Sequence, residues 1–205
     1  MEPMAATGAE GGGSMGNDTP LAVLSERPQL LFNYFKQLFA QVSNPPLDAI
    51  REELVTSLAA FIGSEQNLFD ETPQHCHQLK LKQPILTNVE LEKIRNISFG
   101  NMKTTTCSTL FNVKEGSNSL ESALDRLCMK VTDAVLSGSN IIILSDRGVD
   151  SEHAPIPSLL AIAAVHHHLI REGRRTKVGL VVESGEPREV MHFALLIGYG
   201  AGAVN

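Results

Sequence analysis

From Ser119 to the last residue the sequence repeats one rhythm, and that rhythm limits the fold more than any other feature. Leu120, Leu124, Leu127, Val131 and Val135 recur at helical spacing, which predicts a helix over Ser119–Leu136. Asn140–Leu144 follows as a short strand whose run Ile141-Ile142-Ile143-Leu144 shows no polar alternation, the pattern of a strand buried on both faces. A helix is expected over Pro157–Ile170, with proline suited to its first turn, then a strand over Lys177–Glu183. A further helix over Glu186–Ile197 begins beside Pro187, and Gly198, Gly200 and Gly202 turn the chain into a strand near Ala203. Strand, helix, strand, helix, strand with short connections specifies a parallel sheet with right-handed crossovers. The sequence stops at Asn205, inside what reads as a buried strand, and the expectation is a truncated piece of a longer polypeptide.

The amino-terminal half is organised differently. Residues 1–19, with Gly8, Gly11, Gly12, Gly13 and Gly16 and few large apolar side chains, read as a flexible loop ahead of one domain over 20–205. Leu31, Tyr34, Phe35, Leu38, Phe39 and Val42 predict an amphipathic helix over Pro28–Val42, broken by Asn44-Pro45-Pro46. Ile50, Leu54, Leu58 and Ile62 predict a second helix over Leu47–Ile62, with Gly63 as its C-cap. The two form a helical hairpin that must pack on something. Residues 64–84 read as polar and irregular. Thr87 or Asn88 is placed to cap a short helix through Ile94, and the β-branched stretch Thr104–Val113 reads as one strand. The expected class is α/β: an N-terminal helical hairpin packed on a parallel βα-repeat sheet, rudimentary, barrel-like and truncated.

Charge and cysteine usage exclude several functions. Seventeen Lys and Arg against 23 Asp and Glu leave a net charge of −6. A nucleic-acid binder needs the opposite field to displace counterions. The basic cluster Arg171, Arg174, Arg175 and Lys177 falls between a helix and a strand and reads as solvating a loop and the negative end of a helix dipole. Cys76, Cys107 and Cys128 are far apart and odd in number, which fits a reducing compartment and not a disulfide framework. No run of about 20 apolar residues is present to span a membrane as a helix. Nor is there the charged-then-apolar layout of a secretory signal.

The candidate chemistry is sparse. The glycine-rich start lacks the Gly-Lys-Ser/Thr ending and preceding strand of a phosphate loop. His75-Cys76-His77 brings ligand-type atoms together, but a structural zinc needs four ligands and no second cluster supplies them. His166-His167-His168 lies on a helix, where successive side chains diverge by about 100°. The best-placed polar residues follow the strands. Ser145-Asp146-Arg147 and Glu183-Ser184-Gly185-Glu186 occupy the carboxyl ends of two neighbouring parallel strands, where α/β proteins concentrate their functional groups. Asp146, Arg147 and Glu183 therefore admit two readings. One is a polar site shared by the strand ends, as in an independent module for a phosphate or a flavin. The other is an ion pair, Asp146 or Glu183 with Arg147 or Arg188, plus helix caps such as Glu186. The lack of a nucleophile elbow or a dinucleotide fingerprint favours the second.

Several longer strings resemble one family. Gly13-Ser14-Met15-Gly16-Asn17-Asp18-Thr19-Pro20-Leu21-Ala22-Val23-Leu24-Ser25 looks like the opening of the central domain of the glutamate synthase large subunit. Tyr34-Phe35-Lys36-Gln37-Leu38-Phe39-Ala40-Gln41-Val42-Ser43-Asn44-Pro45-Pro46, with Asp48, Ile50, Arg51 and Glu52 after it, is similar to that domain's most distinctive stretch. Leu144-Ser145-Asp146-Arg147, Ala154–Ala161, His166–His168 and Ile197–Ala201 resemble its later part, and only residues 64–118 match weakly.

The resemblance implies an enzyme that makes two glutamates from glutamine and 2-oxoglutarate, in the cytoplasm or a plastid stroma. An amidotransferase domain with a cysteine nucleophile frees ammonia. A tunnel carries it to a barrel that binds FMN, with an iron–sulfur cluster relaying electrons from ferredoxin or a nicotinamide. The central domain joins these two partner domains and resembles a rudimentary barrel without a flavin. By the same resemblance, loops around Met15, Ser43 and Asn44 lie at the tunnel mouth, with serine at 43 where the family commonly has threonine. No catalytic, cofactor-binding or metal-binding residue is expected in the segment itself.

Overall fold

The computed structural model describes Ala6 and residues 20–36, 48–115 and 119–205. The chain divides into two compact units, residues 1–57 and 58–205.

In the first unit, Ala22–Leu24 and Leu31–Phe35 are short 3₁₀ helices. The helix expected over Pro28–Val42 is, within the described residues, only the second of these. Lys36 is already extended, and residues 37–42 lie outside the described residues. Phe32, Asn33, Tyr34 and Phe35 are weak helix formers, so the apolar spacing alone does not enforce an α-helix here. Helix α1 spans Ala49–Val55, and Asp48 caps it by accepting hydrogen bonds from the Ile50 and Arg51 amides at 3.1 and 3.2 Å. The helix does not reach Ile62 as expected. Thr56 is extended, and Ala60–Gly63 is strand β1, so Gly63 is not a C-cap. Ile62 satisfies both a helical and a two-residue period. In the strand it turns inward, nearly fully buried, while Phe61 faces solvent. Tertiary burial decides between the two.

The second unit begins with β1 paired antiparallel to β2 (Gln78–Leu81), with Ile62 opposite Leu79. The region 64–84 is therefore not irregular throughout: it holds β2 and a 3₁₀ turn over Pro73–Cys76. Helix α2 (Asn88–Arg95) starts at Thr87 with a full capping box. Thr87 Oγ1 accepts from the Glu90 amide at 3.3 Å, and the Glu90 carboxylate accepts from the Thr87 amide at 2.8 Å.

The centre is a four-stranded parallel sheet in the order β3 (Thr104–Ser108), β5 (Ile141–Ser145), β7 (Gly179–Glu183), β8 (Ala203–Val204). Thr104 pairs with Ile141, Ile141 with Gly179, and Val181 with Ala203. Residues 84–86 extend the sheet beyond β8: the Leu86 amide donates to Val204 O and the Val204 amide to Pro84 O, both at 2.8 Å. The crossovers are α3 (Ser119–Leu136), α4 (Ser158–Arg171) and α5 (Val190–Gly198), with α3 packed on α4 and α4 on α5. The parallel βα repeat is as expected to within a turn. The α5 start is later than Glu186: Ser184 and Gly185 donate to Asp146, and Glu186 is engaged with Ser158. On α3, the buried stripe is Ser119, Ala123, Leu127, Val131 and Val135, with Leu120 and Leu124 only half-buried.

The expected single strand Thr104–Val113 is two. It breaks at buried Thr109, whose amide and hydroxyl both donate to Ser145 O and whose carbonyl accepts from the Ile156 amide at 2.8 Å. The chain then leaves the sheet as β4 (Leu110–Asn112), which pairs antiparallel with β6 (His153–Pro155).

Ile141, Ile143, Val181 and Ala203 share one face of the sheet and form a core with Ile62, Leu86, Leu91 and Ile94. Helix α2 and strand β1 thus cover this face. Close approach of β1 requires Gly179: a Cβ there would sit 2.3 Å from Ile62 Cγ2 and 2.7 Å from the Gly63 amide nitrogen.

Candidate functional site

The carboxyl ends of β5 and β7 bring Asp146, Arg147 and Glu183 together, and they add a residue that the sequence reading did not single out. Glu183 is 3% exposed. One carboxylate oxygen accepts from the Arg95 guanidinium at 2.7 Å, and the other accepts from Arg147 Nε. Arg95 ends α2 and is held by three acceptors: Glu183, Glu92 Oε1 at 2.9 Å and Thr106 Oγ1 at 2.8 Å. Burial on its own would raise the Glu183 carboxyl. Hydrogen bonds from Arg147, Ser145 and Arg95 outweigh it and hold the group below the ordinary carboxylate range.

Asp146 takes a separate role. Its Oδ2 accepts from the Ser184 hydroxyl at 2.6 Å and the Gly185 amide at 3.3 Å, which ties the two strand ends together. Glu186 Oε2 accepts from the Ser158 amide at 2.8 Å and from its hydroxyl at 2.6 Å, so it caps α4, a neighbouring helix and not its own. Arg188 Nε donates to Gly185 O at 3.0 Å. The space left among Thr109, Leu144, Asp146, Ser158, Val182, Glu183 and Ser184 is about 10 Å³. That is room for about one water, whereas small-molecule sites run from about 300 Å³ upward. Chemically the cluster is a set of struts: Glu183, Asp146 and Glu186 each accept hydrogen bonds from protein donors.

The three helical histidines diverge. His166 Nδ1 accepts from Arg175 Nε at 2.9 Å, and His168 Nε2 lies 2.8 Å from Thr132 Oγ1 on α3. Their partners lie on different elements. His75 Nε2 is 2.7 Å from Asp70 O, and Cys76 is exposed. Among the described residues, no group of three His, Cys, Asp or Glu side chains is arranged to hold a metal ion. Also among them, no helix is long and apolar enough to cross a membrane.

In the basic cluster, Arg171 in the last turn of α4 and Lys177 are exposed as expected, but Arg175 is not a solvating residue. Arg175 lies partly buried at the amino end of the sheet and donates to His166 Nδ1, Val178 O and Gly200 O, the last two at 2.8 Å. Desolvation lowers its pKa, partly offset by Glu65. Desolvation, then the charges of Arg175 and His167, lower that of His166. Because a guanidinium only donates, His166 must present an unprotonated Nδ1. Nothing in the local sequence marks this contact or Arg95–Glu183. Arg95 and Glu183 lie 88 residues apart and meet only across the sheet, whereas His166 and Arg175 are nine residues apart, on α4 and the turn after it. Met15, Ser43 and Asn44, expected at a tunnel mouth, lie outside the described residues.

The whole chain, residues 1–205, matches the family model described as glutamate synthase central domain. It is 48% identical over 203 residues to the glutamate synthase [NADPH] large chain of Bacillus subtilis, covering 99% of this chain and 13% of that one. It is 45% identical to the glutamate synthase [NADH] of Schizosaccharomyces pombe, over 100% of this chain and 10% of the relative. It is 46% identical to the ferredoxin-dependent glutamate synthase 2 of Synechocystis, over 98% and 13%. The chain thus spans about an eighth or less of the length of these relatives. A match from end to end and identities near one half assign the chain to the glutamate synthase central domain family.

Proposed function

We propose that this chain is a connecting segment of a glutamate synthase large chain, joining an amidotransferase domain to an FMN-binding domain and forming part of the wall along which ammonia passes between them. The observation that carries this reading is near-complete alignment, at 48% identity, to a stretch making up 13% of a glutamate synthase large chain. The parent polypeptide would form glutamate from glutamine and 2-oxoglutarate, in the cytoplasm or a plastid stroma, with FMN and an iron–sulfur cluster housed in other domains. The segment itself contributes no catalytic residue, flavin or metal.

On this reading residues 1–19 lead into the domain over 20–205, and Met15, Ser43 and Asn44 sit at the tunnel mouth. A neutral ammonia molecule has to be kept from water, because its protonated form is not a nucleophile. Hydroxyl and amide groups at a mouth suit that task, since they accept a hydrogen bond without holding a charge. The strand order β3-β5-β7-β8 follows the chain without reversal. That order supports a rudimentary barrel wall. The sealed strand-end cluster supports a structural role over an independent phosphate or flavin module. Relatives named for NADPH, NADH and ferredoxin are 45–48% identical to this chain. Such even similarity supports a role upstream of the choice of electron donor.

The test is expression of the full coding frame around this segment. The full-length polypeptide is expected to form glutamate from glutamine and 2-oxoglutarate and to carry flavin. The 205-residue chain alone is expected to stay colourless with FMN. Stoichiometric flavin on the isolated chain, or a full-length polypeptide without the activity, would overturn the reading.

A further inference from the structure

Ordinary antiparallel hairpins close in about two to five residues. The connection between β1 and β2 instead takes residues 64–77, and connections of this length are kept for a purpose. This one is tied down at several points. Glu65 N donates to Thr176 O at 2.7 Å and Gln78 Nε2 to Ser64 O at 3.3 Å, which fix its two ends. At its tip Asn67 Oδ1 accepts from the Phe69 amide at 3.1 Å, and Asn67 Nδ2 donates to Asp70 Oδ2 at 2.8 Å. The Asp70 amide donates to Asn67 O at 3.0 Å, and His75 Nε2 is 2.7 Å from Asp70 O.

What this hydrogen-bonded turn presents is apolar. Leu68 is 90% exposed and Phe69 is 95% exposed. The polar ties hold two large apolar side chains in water, where an untied loop would fold them inward. Next to them in the chain are the exposed carboxylates of Asp70 and Glu71, and residues 64–77 contain no lysine or arginine. The tip therefore has an apolar point and an acidic collar, the arrangement of a buried anchor within a polar rim.

We propose that Leu68 and Phe69 dock into an apolar socket with a basic rim on another domain of the same polypeptide. The inference rests on the chain being a segment of a larger glutamate synthase. Two observations choose that occupant. Relatives carry about seven-eighths or more of their length outside the matched stretch, so a covalently attached partner is present at high effective concentration. A second copy of this chain would bring an identical acidic collar, and like charges repel across a two-fold contact.

The test replaces the exposed tip residue, Phe69→p-benzoylphenylalanine, in the full-length polypeptide, produced as an equal mixture of ¹⁴N- and ¹⁵N-labelled material. Irradiation is expected to crosslink position 69 to apolar residues outside this segment, in the same isotopic chain, with Lys or Arg beside them. Adding Asp70→Lys and Glu71→Lys is expected to lower the yield by about fivefold or more, as loss of rim complementarity requires. Crosslinks between light and heavy chains, crosslinks confined to residues 1–205, or no crosslink would each overturn the inference. A polypeptide that makes glutamate with a free tip defeats this inference alone. One that crosslinks as expected but makes no glutamate defeats the functional reading alone.

Discussion

The two ends of the parallel sheet each bury an ionisable group, and they accommodate it with opposite chemistry. At the carboxyl end a buried acid, Glu183, is matched by two cations, Arg95 from α2 and Arg147 from the β5 end. At the amino end a partly buried cation, Arg175, is matched by neutral acceptors: the His166 ring and the carbonyls of Val178 and Gly200. The first arrangement tolerates acid until carboxylates protonate. The second fails sooner, because it needs a histidine that carries no proton on Nδ1. A buried charge can thus be stabilised either by a counter-charge or by oriented dipoles, and the choice sets where along the pH scale each end gives way.

The largest expected effect breaks the amino end. Gly200 has φ +113°, and a Cβ there would lie 2.2 Å from His166 Nδ1. Gly200→Ala adds backbone strain to a clash that pushes His166 off Arg175. The expected loss is about 4 kcal/mol, read from the urea unfolding midpoint of the chain. Next comes the carboxyl end. Arg95→Ala removes the inner of the two cations on the buried Glu183 carboxylate and should cost about 3 kcal/mol in the same measurement.

The pH dependence sharpens the contrast. Both pKa shifts are downward, so in each case the unfolded chain binds the proton more readily, and stability falls as pH falls. For His166 the contribution is complete above about pH 6.5 and is lost as pH drops through and below that value. For Glu183 the loss begins only below about pH 4.3. His166→Gln keeps an acceptor for Arg175 but does not titrate, so the difference between its unfolding midpoint and the parent's should flatten the slope between about pH 6.5 and 5. An unchanged slope would show that His166 does not carry it. The smallest effect is at Arg147, whose side chain is 62% exposed. Arg147→Ala should shift the unfolding midpoint far less than Arg95→Ala, since solvent screens such a pair. A cost equal to that of Arg95→Ala would erase the distinction between the inner and outer cation.

Much of the carboxyl-terminal half was readable in advance. Ile141–Leu144 has no polar position, and a strand without one has to be covered on both faces. The capped helix at Thr87 was readable for a similar reason, because a hydroxyl three residues before Glu90 satisfies local amides using local atoms. Asp146 and Glu183 could be placed at adjacent strand ends by counting along the repeat. Arg95, by contrast, carried no signal. It lies 88 residues from Glu183 in sequence, and only the return of α2 across the sheet brings them together. Leu47–Ile62 reads as a helix because Ile50, Leu54, Leu58 and Ile62 suit one by spacing, while Ile62 belongs to the sheet core.

What the sequence determined alone is what short-range physics controls: periodicity, caps, turn formers and the parallel βα repeat, along with a family likeness spread over long strings. The tertiary structure decided the rest. It turned Ile62 into a strand residue, split Thr104–Val113 at Thr109, sealed the strand-end acids and buried Arg175 against His166. Each of these outcomes depends on which groups are packed around a buried position. Burial energy acts through space, so no local pattern along the chain encodes it.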